Sequence, residues 1–305
     1  HNFAKDRDLL FETLHDFERS GVIEQCKKSE PRAFFATLFT TPKRDGSVRV
    51  IFNLSELNEF VETSHFKMDT IREAVNLLRR NWWMASIDFS NAYYSVSVHP
   101  KFRKYLCFEW LGKDYHFNVL PQGISCAPKS FTKLMKPPFA FLREKGHTCL
   151  GYIDDSLFLA PTKQGIEQAL TDAIRLFDNL GLTINVQKSV LKPVQFIEYL
   201  GFTLDTRNML IALTDRKKDK IRRFAIDLLK RKDCTVQTLA EFIGNTVAAD
   251  PGVRLGPLHY KGLEIERNIA LKDSFGDYSA RILLSDEMKS DLVWWKDNIL
   301  DCDKC

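Results

Sequence analysis

The sequence predicts an α+β chain that finishes in an all-helical third. Three observations carry this. Strand-like apolar runs alternate with helical patterns as far as residue 213, and only helical patterns follow. The most legible turn in the chain, Asp45-Gly46, joins two strand-like segments as a β-hairpin does. Taken in order, 6–20 has helical spacing and ends near Gly21, 34–39 is an apolar strand, and 43–52 is the hairpin. Residues 70–80 read as a helix, 84–88 as a buried strand, and 102–110 with 113–119 as a strand pair around Gly112. A helix starts near Ala127 with Pro128 in its first turn, and Pro137-Pro138 must break or kink it. Residues 149–160 read as a hairpin turning at Asp154-Asp155, and 165–180 as a helix stopped by Gly181. Strands over 197–204 and 209–213 precede helices over 214–232, 236–249 and 285–299.

Composition narrows the function classes. With 305 residues, and about 150 residues per domain, two domains or one elaborate one are expected. Hydrophobic residues at 44% and charged residues at 28% exclude wholesale disorder. No apolar run approaches the roughly 20 residues that span a bilayer, so no membrane partner is expected. The chain begins at His1 with no charged-then-apolar leader, and reads as a fragment of a longer polypeptide kept in a reducing, intracellular compartment. Seven scattered cysteines do not make a disulfide framework. Cys302 and Cys305 form a lone C-x-x-C, by chance spacing or as half of a zinc site, since two ligands do not hold a structural zinc.

Net charge is only +4, but residues 216–232 hold nine basic residues against Asp219 and Asp227. Ile221, Phe224, Leu228 and Leu229 recur there at helical spacing, giving a helix with one apolar and one cationic face. Such a face is either simply solvated or suited to a phosphate-bearing partner.

The acids carry the chemistry. Asp88 ends the apolar run Met84-Ala85-Ser86-Ile87, and Asp154-Asp155 stands between Tyr152-Ile153 and Leu157-Phe158-Leu159. Carboxylates at buried strand ends need partners. Three brought together repel unless a divalent cation lies among them, and hard oxygen ligands favour Mg²⁺ or Mn²⁺. Two such ions about 4 Å apart suit nucleotidyl transfer. The alternative is ordinary turn chemistry, in which Asp is common.

Asp88-Phe89-Ser90-Asn91-Ala92-Tyr93, Leu120-Pro121-Gln122-Gly123-Ile124-Ser125-Cys126-Ala127-Pro128 and Tyr152-Ile153-Asp154-Asp155 occur in that order. They resemble the A, B and C motifs of reverse transcriptases. Gly181-Leu182-Thr183 with Lys188 resembles motif D, Tyr199-Leu200-Gly201 the primer grip, and 43–58 the fingers hairpin with the element after it. The resemblance covers roughly residues 30–250. Ala127-Pro128-Lys129-Ser130-Phe131-Thr132-Lys133-Leu134-Met135 and Trp294-Trp295 most resemble retrotransposons of the DIRS kind. Asn53 and Ser55 depart from the Asp and Arg of many relatives, and Gln122 is the retrovirus-like choice where many retrotransposons have Phe.

The resemblance implies a right-hand polymerase with fingers, an antiparallel-sheet palm and a helical thumb. Fingers would cover 1–66 and 96–128, palm 67–95 and 129–208, and thumb 209–273. Residues 274–305 would begin a connection to a further domain. It implies RNA-directed DNA synthesis on a primed RNA or DNA template with dNTPs, using two Mg²⁺ (or Mn²⁺) ions, within a longer element polyprotein. Asp88 and Asp154 would ligate both ions with the Phe89 backbone, and Asp155 would be a weaker ligand or an electrostatic support. Lys43, Arg49, Ser90, Asn91, Ala92, Tyr93, Gln122 and Lys188 would meet the nucleotide. Gly123, Tyr152, Tyr199, Leu200, Gly201, Lys217, Lys220 and Arg223 would meet template and primer. Tyr93 would stand under the sugar, unless it is a core aromatic and Tyr94 the exposed one. Asp286, Glu287, Asp291 and Asp297 with Trp294-Trp295 read as one amphipathic helix, so no second acid site that degrades RNA in a hybrid is expected. Two other readings stand beside this one. An RNA-dependent RNA polymerase is disfavoured by Tyr93 and the Tyr-x-Asp-Asp pattern. A catalytically silent nucleic-acid-binding remnant of a mobile element is disfavoured by the presence of all three acids.

Overall fold

The computed structural model describes residues 3–27, 31–42, 48–63 and 66–301. The chain divides into two compact units. One comprises His1–Met68, Ile87–Ser156 and Ala169–Ser189, the other Asp69–Ser86, Leu157–Gln168 and Val190–Cys305.

In the first unit the helix Phe3–Arg19 leads into the strand Ile23–Gln25. That strand pairs antiparallel with Lys113–Phe117, which pairs in turn with Cys107–Trp110. Thr37–Pro42 and Val48–Asn53 form the second antiparallel pair, with Pro42 opposite Val48; the turn expected at Asp45-Gly46 lies outside the described residues. A shared apolar core includes Leu10, Leu14, Ile23, Phe52, Phe108, Phe117 and Ile124. Phe52 meets Phe108 and Phe117 edge-on at 5.0 and 4.6 Å, which adds to their burial. The expected strand over 102–110 starts only at Cys107. Before it, Pro100–Arg103 forms a helical turn, because Pro100 suits a first helical position and His99 Nδ1 accepts the Lys101 N–H at 3.2 Å.

The helix Ala127–Glu144 is continuous through Pro137 and Pro138, where a break or kink was expected. Two prolines remove only two backbone donors from this long element. Its buried face, Ala127, Phe131, Met135, Phe139 and Leu142, runs uninterrupted across them. Packing at one helical face outweighs the local cost.

A four-stranded sheet has the order Thr148–Tyr152, Asp155–Ala160, Trp83–Asp88, Val190–Val194. Ile87-Asp88 and Asp155-Ser156 fall in the first unit, and the rest of those two strands in the second. Ser156 to Ala160 are all buried, as in a strand covered on both faces. The hairpin turn lies one residue earlier than expected, at Ile153-Asp154, with Asp155 already in the strand.

In the second unit, Phe196–Tyr199, Phe202–Asp205 and Leu210–Leu213 form a three-stranded meander. The single strand expected over 197–204 is therefore two strands. Leu200 (φ 49°) and Gly201 (φ 78°) make a two-residue turn between them, since positive φ at both central positions is what a twisted hairpin favours. The helices Asp215–Leu229, Val236–Val247 and Asp286–Asn298 match the expectation, whereas Ser55–Glu59 in the first unit and Lys261–Asp273 here were not foreseen, and the short antiparallel pair Asp233–Thr235 with Arg281–Leu283 departs from the expected all-helical third. Trp295 is fully buried with its indole N–H donating to the His259 carbonyl at 2.9 Å. Trp294 stacks on the His259 ring at 4.0 Å.

Gly151, next to Tyr152, is the tightest point described: a Cβ there would lie 2.2 Å from Cε2 of the buried Phe139. Gly151→Ala is expected to destabilise the chain by about 1–3 kcal/mol, measured by urea unfolding, because the ring must shift in a packed core.

Candidate active site

Asp88 ends its strand beside the Ile153-Asp154 turn, and backbone hydrogen bonds fix it from both sides. The Phe89 N–H donates to the Asp154 carbonyl at 2.9 Å. On the opposite edge, the Asn185 N–H donates to the Asp88 carbonyl at 2.8 Å and the Ser90 N–H to the Thr183 carbonyl at 2.8 Å. The Asp88 N–H donates to Ser189 Oγ at 3.0 Å, and that hydroxyl donates to the Asn185 carbonyl at 2.7 Å. Residues 183–189 are thus bonded directly to the Asp88 segment. Phe89 is buried between the rings of Phe177 and Phe131.

The acids are chemically coupled. Burial raises the Asp88 carboxyl above its ordinary range, Lys188 opposes the rise, and Asp154 adds to it. Asp155 is pushed up to about 6, first by burial, then by the negative charges of Asp154 and Asp88, with Lys188 again opposing. Asp88 Oδ1 is buried with no hydrogen-bond partner. Ile153, a β-branched residue, has φ of 53°, in the left-handed region that such side chains rarely adopt; its strain lies at the centre of this site.

These observations test whether a divalent cation fits. An unpartnered buried carboxylate oxygen on Asp88, with Asp154 and Asp155 beside it and the pKa of Asp155 raised by its neighbours' charges, is a hard, anionic donor set that a cation of the Mg²⁺ type would neutralise. The residues fit such an ion. Among the described residues, no three His, Cys, Asp or Glu side chains already gather around one metal position.

Beyond the acids, Asn91 has φ of 52° and opens the short 3₁₀ turn Ala92–Ser95. Both tyrosines in that turn are half-buried. Tyr94 packs edge-on against Phe17, and burial alone pushes its hydroxyl up to about 12. Tyr93 stands edge-on to Phe131, and its hydroxyl is raised by burial and then by Asp154 and Tyr152. Tyr93 therefore both packs against the apolar core of the first unit and feels the charge of Asp154.

Gln122 and Gly123 are exposed on a loop, and Gly123 has φ of 102°, which only glycine adopts readily. Asn58 holds that loop, its amide donating to the Gly123 carbonyl at 2.9 Å while its Oδ1 accepts the Ser125 N–H at 2.8 Å. Sequence reasoning gave no role to Asn58, Asn185 or Ser189. A side chain that both donates and accepts, directly after the buried Leu57, was the available signal for Asn58. Lys43 lies outside the described residues, as do Cys302 and Cys305, and Arg49 is described only by its backbone pairing with Thr41.

The remaining candidates sit in the second unit. Tyr199 is buried, and Leu200-Gly201 form the hairpin turn. Lys217 is turned inward, with its ammonium 4.0 Å from the Phe202 ring centre and donating to the Ala248 carbonyl at 3.2 Å. Lys220 donates to Asn245 Oδ1 at 2.8 Å, and Arg223 is exposed beside Asp219 at 3.8 Å. The apolar face of this helix is real, but Lys218 is buried within it and donates to the Leu300 carbonyl.

Acids at neighbouring strand ends of one sheet, followed by a largely helical C-terminal region, give the chain a mixed helix-and-sheet fold. Solved structures share that fold. The foamy viral protease–reverse transcriptase in complex with double-stranded DNA superposes with a TM-score of 0.74 at 19% identity, over 96% of this chain and 47% of that one. The same viral protein in complex with an RNA/DNA hybrid gives 0.72 over 99% of this chain and 38% of that one, again at 19% identity. The family model described as reverse transcriptase (RNA-dependent DNA polymerase) matches residues 41–204, and the chain belongs to that family. Among curated relatives, the enzymatic polyprotein of Cestrum yellow leaf curling virus is 27% identical over 79% of this chain, and the Tf2-3 transposon polyprotein of Schizosaccharomyces pombe 21% identical over 87%. The chain spans 36% and 21% of those two polyproteins. No helix among the described residues is long and apolar enough to cross a membrane.

The Asp155 shift has a consequence for stability. A carboxyl held near 6 in the folded chain, against an ordinary value of 3.8, keeps its proton in the folded state after the unfolded chain has lost it. Stability of the metal-free protein is therefore expected to fall as pH rises between those two values and to level off above them. Asp155→Asn should match the parent near the lower value and exceed it in thermal midpoint near neutral pH, as read by calorimetry in a chelating buffer.

Proposed function

We propose that this chain extends a primer on an RNA or DNA template with dNTPs, by nucleotidyl transfer at Asp88, Asp154 and Asp155. The observation that carries the reading is the buried, unpartnered Asp88 Oδ1 beside two coupled carboxylates in a chain of the reverse transcriptase family. That family uses divalent metal ions. Here Asp88 and Asp154, with the Phe89 backbone and Asp155 in support, would hold two Mg²⁺ (or Mn²⁺) ions. When bound, these would lower the pKa of the primer hydroxyl and stabilise the leaving pyrophosphate.

The chain's own groups have separate tasks. Phe89 to Ala92 would lie along the nucleotide, with Lys43 and Arg49 toward its triphosphate. Gln122 and Gly123, on the loop that Asn58 holds, would touch nucleotide and template. Lys188, whose charge already reaches Asp88 and Asp155, would hold a proton near the departing phosphates. Tyr152, Tyr199, Leu200 and Gly201 would meet the primer, and Lys220 and Arg223 its phosphates, with Lys217 acting from behind the hairpin. Fingers would comprise 1–66 and 96–128, palm 67–95 and 129–208, thumb 209–273, and 274–305 the start of a connection within a polyprotein. The sequence phrase over 127–135 and the Trp294-Trp295 pair support placing the element among DIRS-like retrotransposons.

Asp154→Asn should reduce primer extension with Mg²⁺ by about a thousandfold, since several kcal/mol of transition-state charge stabilisation go with the ligand. Binding of template–primer should persist, because phosphate contacts come from cations. Unreduced extension would sink the assignment.

Tyr93 lies beside Asp154, and its ring would pack against a deoxyribose but collide with a 2′-hydroxyl. Overpacking of about 1–3 kcal/mol corresponds to roughly tenfold discrimination or more. Tyr93→Val is therefore expected to raise rNTP use relative to dNTP by at least about tenfold in kcat/KM, with extension from dNTPs retained.

A further inference from the structure

We infer that Asn58 is a positioning residue for nucleotide selection. It fixes the Gln122-Gly123 loop, and so governs how tightly and how selectively the incoming nucleotide is held. The inference rests on the polymerase reading for what that loop meets, and on the geometry for how the loop is held.

Gln122 and Gly123 are exposed, on the stretch that joins the strand Lys113–Phe117 to the helix Ala127–Glu144. Among the described residues, no backbone group meets the Gly123 carbonyl or the Ser125 N–H. Both go to one side chain. Asn58 Nδ2 donates to the Gly123 carbonyl at 2.9 Å, and Asn58 Oδ1 accepts the Ser125 N–H at 2.8 Å. A residue in a parallel ladder bonds its neighbour in this way, to the carbonyl before and the N–H after the residue it faces. The carboxamide thus stands in for a strand beside Ile124. Among side chains, only those of Asn and Gln present an N–H donor and a carbonyl acceptor on one carbon.

The loop is pinned on its apolar side as well. Leu120 and Ile124 share a core with Phe52, Leu54 and Leu57. A Cβ on Gly123 would lie 3.6 Å from the Phe52 carbonyl, on the strand Val48–Asn53 that also carries Arg49. Asn58 follows the buried Leu57 on the helix Ser55–Glu59, just past the end of that strand. Burial at 120 and 124 leaves the exposed backbone between them free to turn, and glycine adds freedom there. The amide removes it. A loop so held offers one surface to a nascent base pair, whereas a released loop accommodates a mismatched pair more readily. The acids do not depend on Asn58, since the Asp88 segment is bonded to Asp154, Thr183, Asn185 and Ser189. Loss of Asn58 is therefore felt in nucleotide affinity and choice before it is felt in turnover.

The test is single-nucleotide extension of a primed template by the whole chain with Mg²⁺, alongside the thermal midpoint of each variant. Asn58→Asp is isosteric, keeps the acceptor for Ser125 and sets an oxygen against the Gly123 carbonyl. Asn58→Ala removes both bonds. Each is expected to raise KM for the matched dNTP about tenfold with kcat within about twofold, from the loss of one or two hydrogen bonds. Preference for the matched over a mismatched dNTP, in kcat/KM, should fall about fivefold or more. Glu59→Ala, exposed on the same helix, should keep the parental values. Parental KM and selectivity in Asn58→Asp would overturn the inference, because filling space would then be all that Asn58 does. So would a fall in kcat at unchanged KM, or loss of extension together with a lowered thermal midpoint in both variants, either of which would make Asn58 a residue of the fold alone. A parent that does not extend overturns the polymerase reading and this inference with it. A parent that extends beside unaltered variants counts against this inference alone.

Discussion

Carboxylates at the end of a strand that is covered on both faces set the terms for the rest of the first unit. Burial and mutual repulsion both oppose ionisation of Asp88 and Asp155, and the oxygen of Asp88 that could accept a hydrogen bond receives none. Such a site persists only if its surroundings leave no easier arrangement. The backbone supplies that rigidity. Phe89 is bonded to Asp154 on one side, Asp88 and Ser90 to the 183–189 segment on the other, and two phenylalanine rings close over Phe89. The strained Ile153 turn is one more term that the apolar packing must outweigh.

The basic run 216–232 shows how charge can mislead as to purpose. Part of it is structural. Lys218 donates to the Leu300 carbonyl and Arg222 to that of Lys296, both near the C-terminal end of the helix Asp286–Asn298, where backbone acceptors lack partners within the helix. Lys217 is held inside by an aromatic ring and a carbonyl, and burial lowers its pKa. The cations left facing water are Arg216, Lys220 and Arg223, at spacings of four and three along the helix, and Lys230, Arg231 and Lys232 past its end. The basic stripe that this helix turns to solvent is thus narrower than the composition suggests.

Legibility followed the range of the interactions. The buried strand over 84–88 and the amphipathic helices were readable because their periods are local. The exact turns were not. Asp154-Asp155 looked like the turn because Asp favours turns, yet the structure places Ile153 in the left-handed position and Asp155 in the strand. Tyr199-Leu200-Gly201 looked like continuous strand because two of its three residues are strand formers, and only the pairing of Tyr199 with Phe202 shows the reversal. Asn58 and Ser189 were invisible for a different reason. Their partners lie 65 and 101 residues away, and no local pattern reports a bond of that separation. The surroundings of Tyr93 and Tyr94 likewise come from distant parts of the chain, Asp154 for one and Phe17 for the other.

The Leu200-Gly201 turn also ties two positions together in how they can change. A Cβ on Gly201 would meet Lys217 Cδ at 3.3 Å, and the φ of 78° already disfavours any side chain other than that of Asn, Asp or glycine. A residue at 201 must therefore tolerate this backbone, and the flexible Lys217 side chain must give by a few tenths of an ångström. A chain that first shortens the side chain at 217 takes up Asn at 201 more easily than one that changes Gly201 first. Such epistasis would leave Gly201 and Lys217 changing together among homologues, through steric contact alone.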